Sequence, residues 1–106
     1  MNQRYKKYPV ATTCWRIMKS YGWSDAVCAG IIGNMMAEVG GHTLNLKWDT
    51  YSHGYYGLCQ WSLQFYTGPQ NASIQQQMNY MHGDIKTQFD NFGFNYYRGF
   101  NYNAFL

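Results

Sequence analysis

The sequence predicts a mainly α-helical domain of the α+β class, in which a central helix and further packing helices support one small β-hairpin. Three observations carry that expectation. Between residues 27 and 39 apolar side chains recur three and four positions apart. Between residues 44 and 61 the period changes to two around a turn signal. Ser73 and Gln76 then form a capping pair ahead of another helix. The length of 106 residues leaves room for one domain.

Pro9 suits the first position of a helix because its fixed φ is already helical. Val10, Cys14, Ile17, Met18 and Tyr21 follow at helical spacing, and Gly22 offers a stop. Ser24 is a good N-cap for the second helix, with Asp25 placed where the helix dipole favours a negative charge. Val27, Cys28, Ile31, Ile32, Met35, Met36 and Val39 form the apolar stripe of this helix. Ala29, Gly30, Gly33 and Ala37 cover its other sides with small residues, so the helix is expected to be central and largely enclosed. Gly40 and Gly41 end it.

Leu44, Leu46 and Trp48 alternate, Ser52, His53 and Gly54 mark a turn, and Tyr55 to Trp61 returns as a second strand. A short, exposed hairpin fits this pattern. Residues 67–72, with Gly68 and Pro69, read as a loop. Ile74, Met78, Met81, Ile85 and Phe89 give the third helix its apolar face, weakened by Gly83. From Phe92 onward Asn, Gly and aromatic residues dominate, and the pattern specifies no element.

The apolar share of 46% includes eleven Tyr, six Phe and four Trp. Aromatic rings bury large areas and keep a polar handle, which serves both a small core and a sugar-binding groove. A net charge of +3 favours anionic polymers only mildly, and no nucleic-acid motif accompanies it, so nucleic acid is not an expected partner. No segment is long and apolar enough to span a membrane, and no secretory signal pattern occupies the first twenty residues. Cys14, Cys28 and Cys59 lack metal-ligand spacing. Their odd count fits free buried thiols and leaves room for one disulfide, for which Cys14 and Cys28 are placed across the first helical hairpin. His42, His53 and Cys59 match no common zinc pattern, so no metal site is expected.

Glu38 stands out on physical grounds. It lies at the edge of the apolar stripe, in the last turn of its helix, where the dipole disfavours a negative charge. Partial burial and the dipole would both raise its pKa. A carboxyl group that keeps its proton near neutral pH is what acid-catalysed glycoside cleavage requires. The other reading is a surface glutamate tolerated at a helix end.

Two segments add to this. Gly30-Ile31-Ile32-Gly33-Asn34-Met35-Met36-Ala37-Glu38 and Tyr56-Gly57-Leu58-Cys59-Gln60-Trp61-Ser62 stand in an order that resembles the phage tail lysozyme family, within the wider lysozyme and lytic transglycosylase group. The resemblance covers residues 10 to 90 and is firmest between Ala29 and Ser62. It implies a single lysozyme-like domain over residues 1–106 that acts on bacterial peptidoglycan. The bond attacked would be the β-1,4 linkage between N-acetylmuramic acid and N-acetylglucosamine, with no cofactor. Glu38 would be the general acid and Gln60 a polar contact near the reacting sugar. A phage origin implies a virion-associated protein, or one released to the cell wall without a signal peptide, with other virion or lysin domains as partners. Two features depart from the family pattern. Leu63 stands where an arginine often follows the glutamine–tryptophan pair, and the pattern usually runs on past the third helix, which leaves a shortened C-terminus or a partner-supplied cleft wall open.

A hydrolase that inverts its substrate needs a second carboxylate about 6.5–9.5 Å from the acid, and a retaining one needs a closer nucleophile. Asp25 lies too far back along the same helix, and Asp84 and Asp90 belong to the third helix, where solvation is the default. Asp49, in the hairpin facing the end of the Glu38 helix, is the candidate, although a turn aspartate bonded to its own backbone explains it as well. Transglycosylases of the resembling group dispense with this residue because a substrate hydroxyl attacks. Asn34, one turn before Glu38, is a candidate for the groove wall. Tyr56 and Trp61 are candidates to stack on sugar rings, or else belong to the core. A wall-binding module without cleavage is the remaining alternative. The sequence thus predicts that Glu38, Asp49 and Gln60 border one groove.

Overall fold

The computed structural model of the chain describes residues 7–84. Helix α1 (Pro9–Ser20) starts on its proline, with Tyr8 as N-cap and without a side-chain cap. Ala11, Thr12, Cys14, Ile17 and Met18 are buried, whereas Val10 is half-buried, so the inward stripe is rotated slightly from the one the spacing suggests. The Gly22 N–H returns to the Lys19 carbonyl at 3.0 Å, and a positive φ of 85° turns the chain there. Lys19 ties this corner together: its Nζ reaches Asp25 at 2.8 Å and the Trp23 carbonyl at 2.8 Å.

Helix α2 (Asp25–Val39) is capped by Ser24, whose side chain accepts from the Val27 N–H at 3.2 Å. Val27, Cys28, Ile31, Ile32, Met35 and Val39 are buried against α1 and the rest of the core. The helix is not enclosed on all sides. Ala29, Gly33, Asn34, Ala37 and Glu38 are exposed, because small side chains leave little apolar area to reward burial of that face.

The middle of the chain forms three short antiparallel strands in the order β1-β2-β3: β1 (Tyr51–Ser52), β2 (Tyr55–Tyr56) and β3 (Trp61–Ser62). His53 and Gly54 turn the first pair with φ values of 52° and 84°, the double positive φ of a tight hairpin turn. The expected single strand from Tyr55 to Trp61 is broken in two. Gly57, with a φ of 79°, reverses the chain, and residues 57–60 form a second turn. Leu44 to Trp48 is not a strand, although Leu46 is buried as its alternation suggests.

Residues 74–84 form helix α3. Its start is the expected capping box: Ser73 N–H donates to Gln76 Oε1 at 2.9 Å, and Gln76 N–H donates to Ser73 Oγ at 3.1 Å. Met78 and Met81 are buried, and Ile74 packs against the same core. Ile85 and Phe89 lie outside the described residues. Two aromatic groups fasten α3 to the rest. Tyr21 stacks on His82 at 4.0 Å with Trp23 edge-on, and Trp61, Tyr66 and Tyr80 pack mutually at 4.7–5.4 Å. Tyr21, Trp23, Trp61, Tyr66 and Tyr80 therefore serve as packing at the joints of the described residues.

Candidate active site

The last turn of α2 delivers Glu38 to the surface, and the chain beyond it folds straight back. Thr43 N–H and Oγ1 both donate to the Gly40 carbonyl, at 2.9 and 2.6 Å. Lys47 N–H donates to the Val39 carbonyl at 3.1 Å. This close return explains Gly40: a Cβ there would collide with the Thr43 carbonyl and meet the Leu46 side chain. Residues 45–47 are thereby held alongside the helix end.

A groove of about 400 Å³ runs between these parts and the sheet. Glu38, Val39, Gly40, Gly41, Asn45, Lys47, Thr50, Ser52 and Gln60 line it. Glu38 and Gln60, 22 positions apart in sequence, therefore meet at one concave surface. Glu38 is exposed, not half-buried at the stripe edge, since its side of α2 carries no large apolar neighbour.

Gln60 sits at the end of the 57–60 turn with a φ of 49°. Its backbone N–H and its side-chain Nε2 both donate to the Gly57 carbonyl, at 3.0 and 2.9 Å. The turn in turn rests on Gln77 of α3, a fully buried side chain. Gln77 Oε1 accepts from the Leu58 N–H at 2.8 Å, and Nε2 donates to the carbonyls of Trp48 at 2.5 Å and Ala72 at 3.2 Å. One amide thus joins the turn, the segment entering the sheet and the loop before α3. Gly57 passes so close to it that a Cβ would lie 2.6 Å from Oε1.

The other anticipated site residues stand elsewhere. Asp49 is exposed and adjoins the lining residue Thr50, but is not itself part of the lining. Asn34 is exposed on α2, outside the lining. Tyr56 is completely buried, its hydroxyl accepting from the Ala72 N–H at 2.7 Å and its ring stacked on Tyr51. Trp61 is half-buried in the cluster with Tyr66 and Tyr80.

Asn45, Lys47, Thr50, Ser52 and Gln77 were not singled out from the sequence. A signal existed for some of them. With Leu44, Leu46 and Trp48 turned inward, Asn45 and Lys47 must point the other way. Gln77 follows Ile74 by three and precedes Met81 by four, which places an amide on the apolar face.

The three cysteines are free thiols, and the bridge for which Cys14 and Cys28 left room is not formed. Cys28 Sγ instead lies 4.0 Å from the Trp23 carbonyl. Burial pushes Cys14 up to about 12. Burial does the same to Cys59, also to about 12, with smaller contributions from Cys14, Asp84 and Glu38. Such a thiol stays protonated near neutral pH and is a poor nucleophile. Among the described residues, no group of three or more His, Cys, Asp or Glu side chains is placed to hold a metal ion, and no helix is long and apolar enough to cross a membrane.

A mainly helical α+β domain, with a helix ending in an exposed glutamate beside a three-stranded sheet and a groove between them, fits a lysozyme-like fold. The chain belongs to the phage tail lysozyme family, whose profile matches residues 9–101. Membership makes it, at the level of the family, a lysozyme-like cell-wall hydrolase. No curated protein and no solved structure matches the chain.

Proposed function

We propose that the protein is a peptidoglycan glycosidase of a phage particle, cleaving the β-1,4 bond between N-acetylmuramic acid and N-acetylglucosamine with Glu38 as the general acid. The observation that carries this reading is the shared groove of Glu38 and Gln60, on a chain of the phage tail lysozyme family. A glycan laid along the groove would bring its glycosidic oxygen to the proton of the Glu38 carboxyl group. That proton passes to the glycosidic oxygen as the bond to C1 breaks, leaving positive charge on the sugar. Gln60, held by its bonds to Gly57, offers a fixed amide to the reacting sugar. Lys47 supplies a cation to the anionic groups of the wall polymer.

In the hydrolytic route, water adds to C1 and a second carboxylate takes its proton. Asp49 is the proposed residue, reached from its place beside Thr50. A second reading is favoured by the lining itself, where Glu38 is the one carboxylate among the described residues. In that reading the 6-hydroxyl of the muramic sugar attacks C1 and returns its proton to Glu38, giving an anhydro product without water.

Glu38→Gln keeps size and hydrogen-bonding capacity but removes the transferable proton. It is expected to lower cleavage of purified peptidoglycan by about 10²–10⁴-fold while glycan binding and the circular dichroism spectrum persist. Cleavage at the parent rate would overturn the assignment of the acid. Mass analysis of the fragments separates the routes, because hydrolysis yields reducing ends and transglycosylation yields anhydro sugars. Asp49→Asn should abolish the first and spare the second. Binding without cleavage by the parent protein would mark a wall-anchoring module of the virion.

A further inference from the structure

The pleat of the small sheet sorts its side chains into two faces. Tyr51 pairs with Tyr56, and Tyr56 with Trp61; Ser52 pairs with Tyr55, and Tyr55 with Ser62. Directly paired residues share a face, and successive residues alternate. Tyr51, Tyr56 and Trp61 therefore lie on one side. That side is the packed one, since Tyr56 is fully buried, Tyr51 stacks on it at 4.5 Å, and Trp61 packs on Tyr66 and Tyr80. Ser52, Tyr55 and Ser62 lie on the other.

The second face reaches the groove through Ser52, with Tyr55 and Ser62 beside it and outside the lining. Thr50, immediately before β1, and Ser52, two residues on, both line the groove. Thr50 is drawn into the ladder by its carbonyl, which accepts from Gly57 N–H at 2.9 Å. Tyr55 stands directly across from Ser52, at the hairpin end of this wall, and is 46% exposed. An exposed aromatic ring between Ser52, whose hydroxyl also meets His53 Nδ1 at 3.0 Å, and Ser62 matches the two sides of a pyranose. The apolar face of the sugar lies on the ring, and its rim of hydroxyl groups meets the serines.

We propose that Tyr55, with Ser52 and Ser62, forms a carbohydrate subsite at the lip of the groove that receives one pyranose ring of the strand beyond the cleavage point. The inference rests on the glycan reading of the groove and extends it. Tyr55 is a binding residue for the length of the strand, and it takes no part in proton transfer at Glu38.

The test measures binding by calorimetry in a Glu38→Gln background, which holds the substrate intact, using soluble glycan strands from peptidoglycan and the single disaccharide. Tyr55→Ala should weaken the longer strands by roughly threefold to tenfold and leave the disaccharide unchanged. Tyr55→Phe, which keeps the ring, should bind as its Glu38→Gln parent does. Tyr51→Ala, a tyrosine of similar exposure at 48% but on the opposite face, should also bind the longer strands normally. Long-strand binding unchanged by Tyr55→Ala, or weakened equally by Tyr51→Ala, would overturn the subsite. The Glu38 assignment would still stand on the cleavage assay. Equal loss for the single disaccharide would overturn the placement at the lip. Absence of glycan binding by the parent protein would remove the groove reading and the subsite together.

Discussion

Replacing Gln77 by alanine removes a single neutral side chain from α3, yet it strips a partner from three backbone groups at once. The amide is completely buried and satisfies three backbone groups that have come from different parts of the chain: the N–H of Leu58 and the carbonyls of Trp48 and Ala72. A buried group that loses its partner costs about 1–3 kcal/mol. The Leu58 N–H has one bond to give and is fully exposed to that loss, whereas a carbonyl left with one lone pair used elsewhere suffers less. Adding the void left by the missing atoms brings the expectation to about 3–5 kcal/mol. A domain of this size has about 5–15 kcal/mol in all, so the variant should melt far earlier in urea. Gln77→Met separates the two contributions, because it fills the volume and abolishes the hydrogen bonds. It should retain part of the lost stability while the Leu58 amide exchanges with solvent much faster than in the parent. Chemical denaturation followed by tryptophan fluorescence gives the first quantity and amide exchange the second. A loss below about 1 kcal/mol for Gln77→Ala, or an unchanged Leu58 exchange rate in Gln77→Met, would refute the claim that this side chain holds the turn.

Two glycines should answer oppositely to alanine. Gly57→Ala places a methyl group 2.6 Å from Gln77 Oε1 at a φ of 79°, and should cost at least about 2 kcal/mol in urea denaturation. Gly33→Ala meets nothing within 4 Å on the exposed side of α2 and should add about 0.5–1 kcal/mol. Cys14 is buried and Cys59 half-buried, and together they predict a pH dependence. Cys14 and Cys59 have an ordinary value of 9.0 and are pushed up to about 12 in the fold. The folded chain therefore keeps protons that the unfolded chain releases, and these groups should make stability fall as pH rises from about 9 towards 12, with no effect well below 9. A flat urea midpoint across that range would contradict their burial. At about pH 8 a thiol reagent should label Cys14 and Cys59 slowly in the native protein and rapidly in denaturant.

Helices were legible because their signals are local. Pro9, the Ser24 cap and the Ser73–Gln76 box each announce a terminus through bonds that span three or four residues. What surrounds a helix is not local. The small residues of α2 read as an invitation to neighbours on every side, yet Ala29, Gly33 and Ala37 face outward. Whether a small-residue face is covered depends on what else the chain brings there, and periodicity within one element cannot say. The same limit applies to the cysteines. Cys14 and Cys28 suit a bridge by position along two packed helices, but the bond requires mutual direction, and Cys28 is turned towards Trp23.

For the groove, the resemblance to the phage tail lysozymes pointed to Glu38 and Gln60 on one surface but not to the wall between them. Glu38 is fixed by the end of a long helix that periodicity shows, whereas Gln60 depends on the turn at Gly57, which the expected single strand from Tyr55 to Trp61 missed. The aromatic residues depend on something finer. Strands of two residues leave no alternation long enough to read, and a shift of one position carries a side chain from the core to solvent. Between Tyr55 and Tyr56 that shift decides which ring is packed and which is exposed, and only the pairing of Ser52 with Tyr55 settles it. Gln77 shows the converse case. A glutamine within an apolar stripe looks like a flaw in the pattern of α3. It becomes intelligible once the Leu58 N–H and the Trp48 carbonyl are known to need it, and those partners lie 19 and 29 positions away. A polar residue on an apolar face is therefore the place to look for the contact that orients a site, because burying it without partners would cost more than the fold could bear.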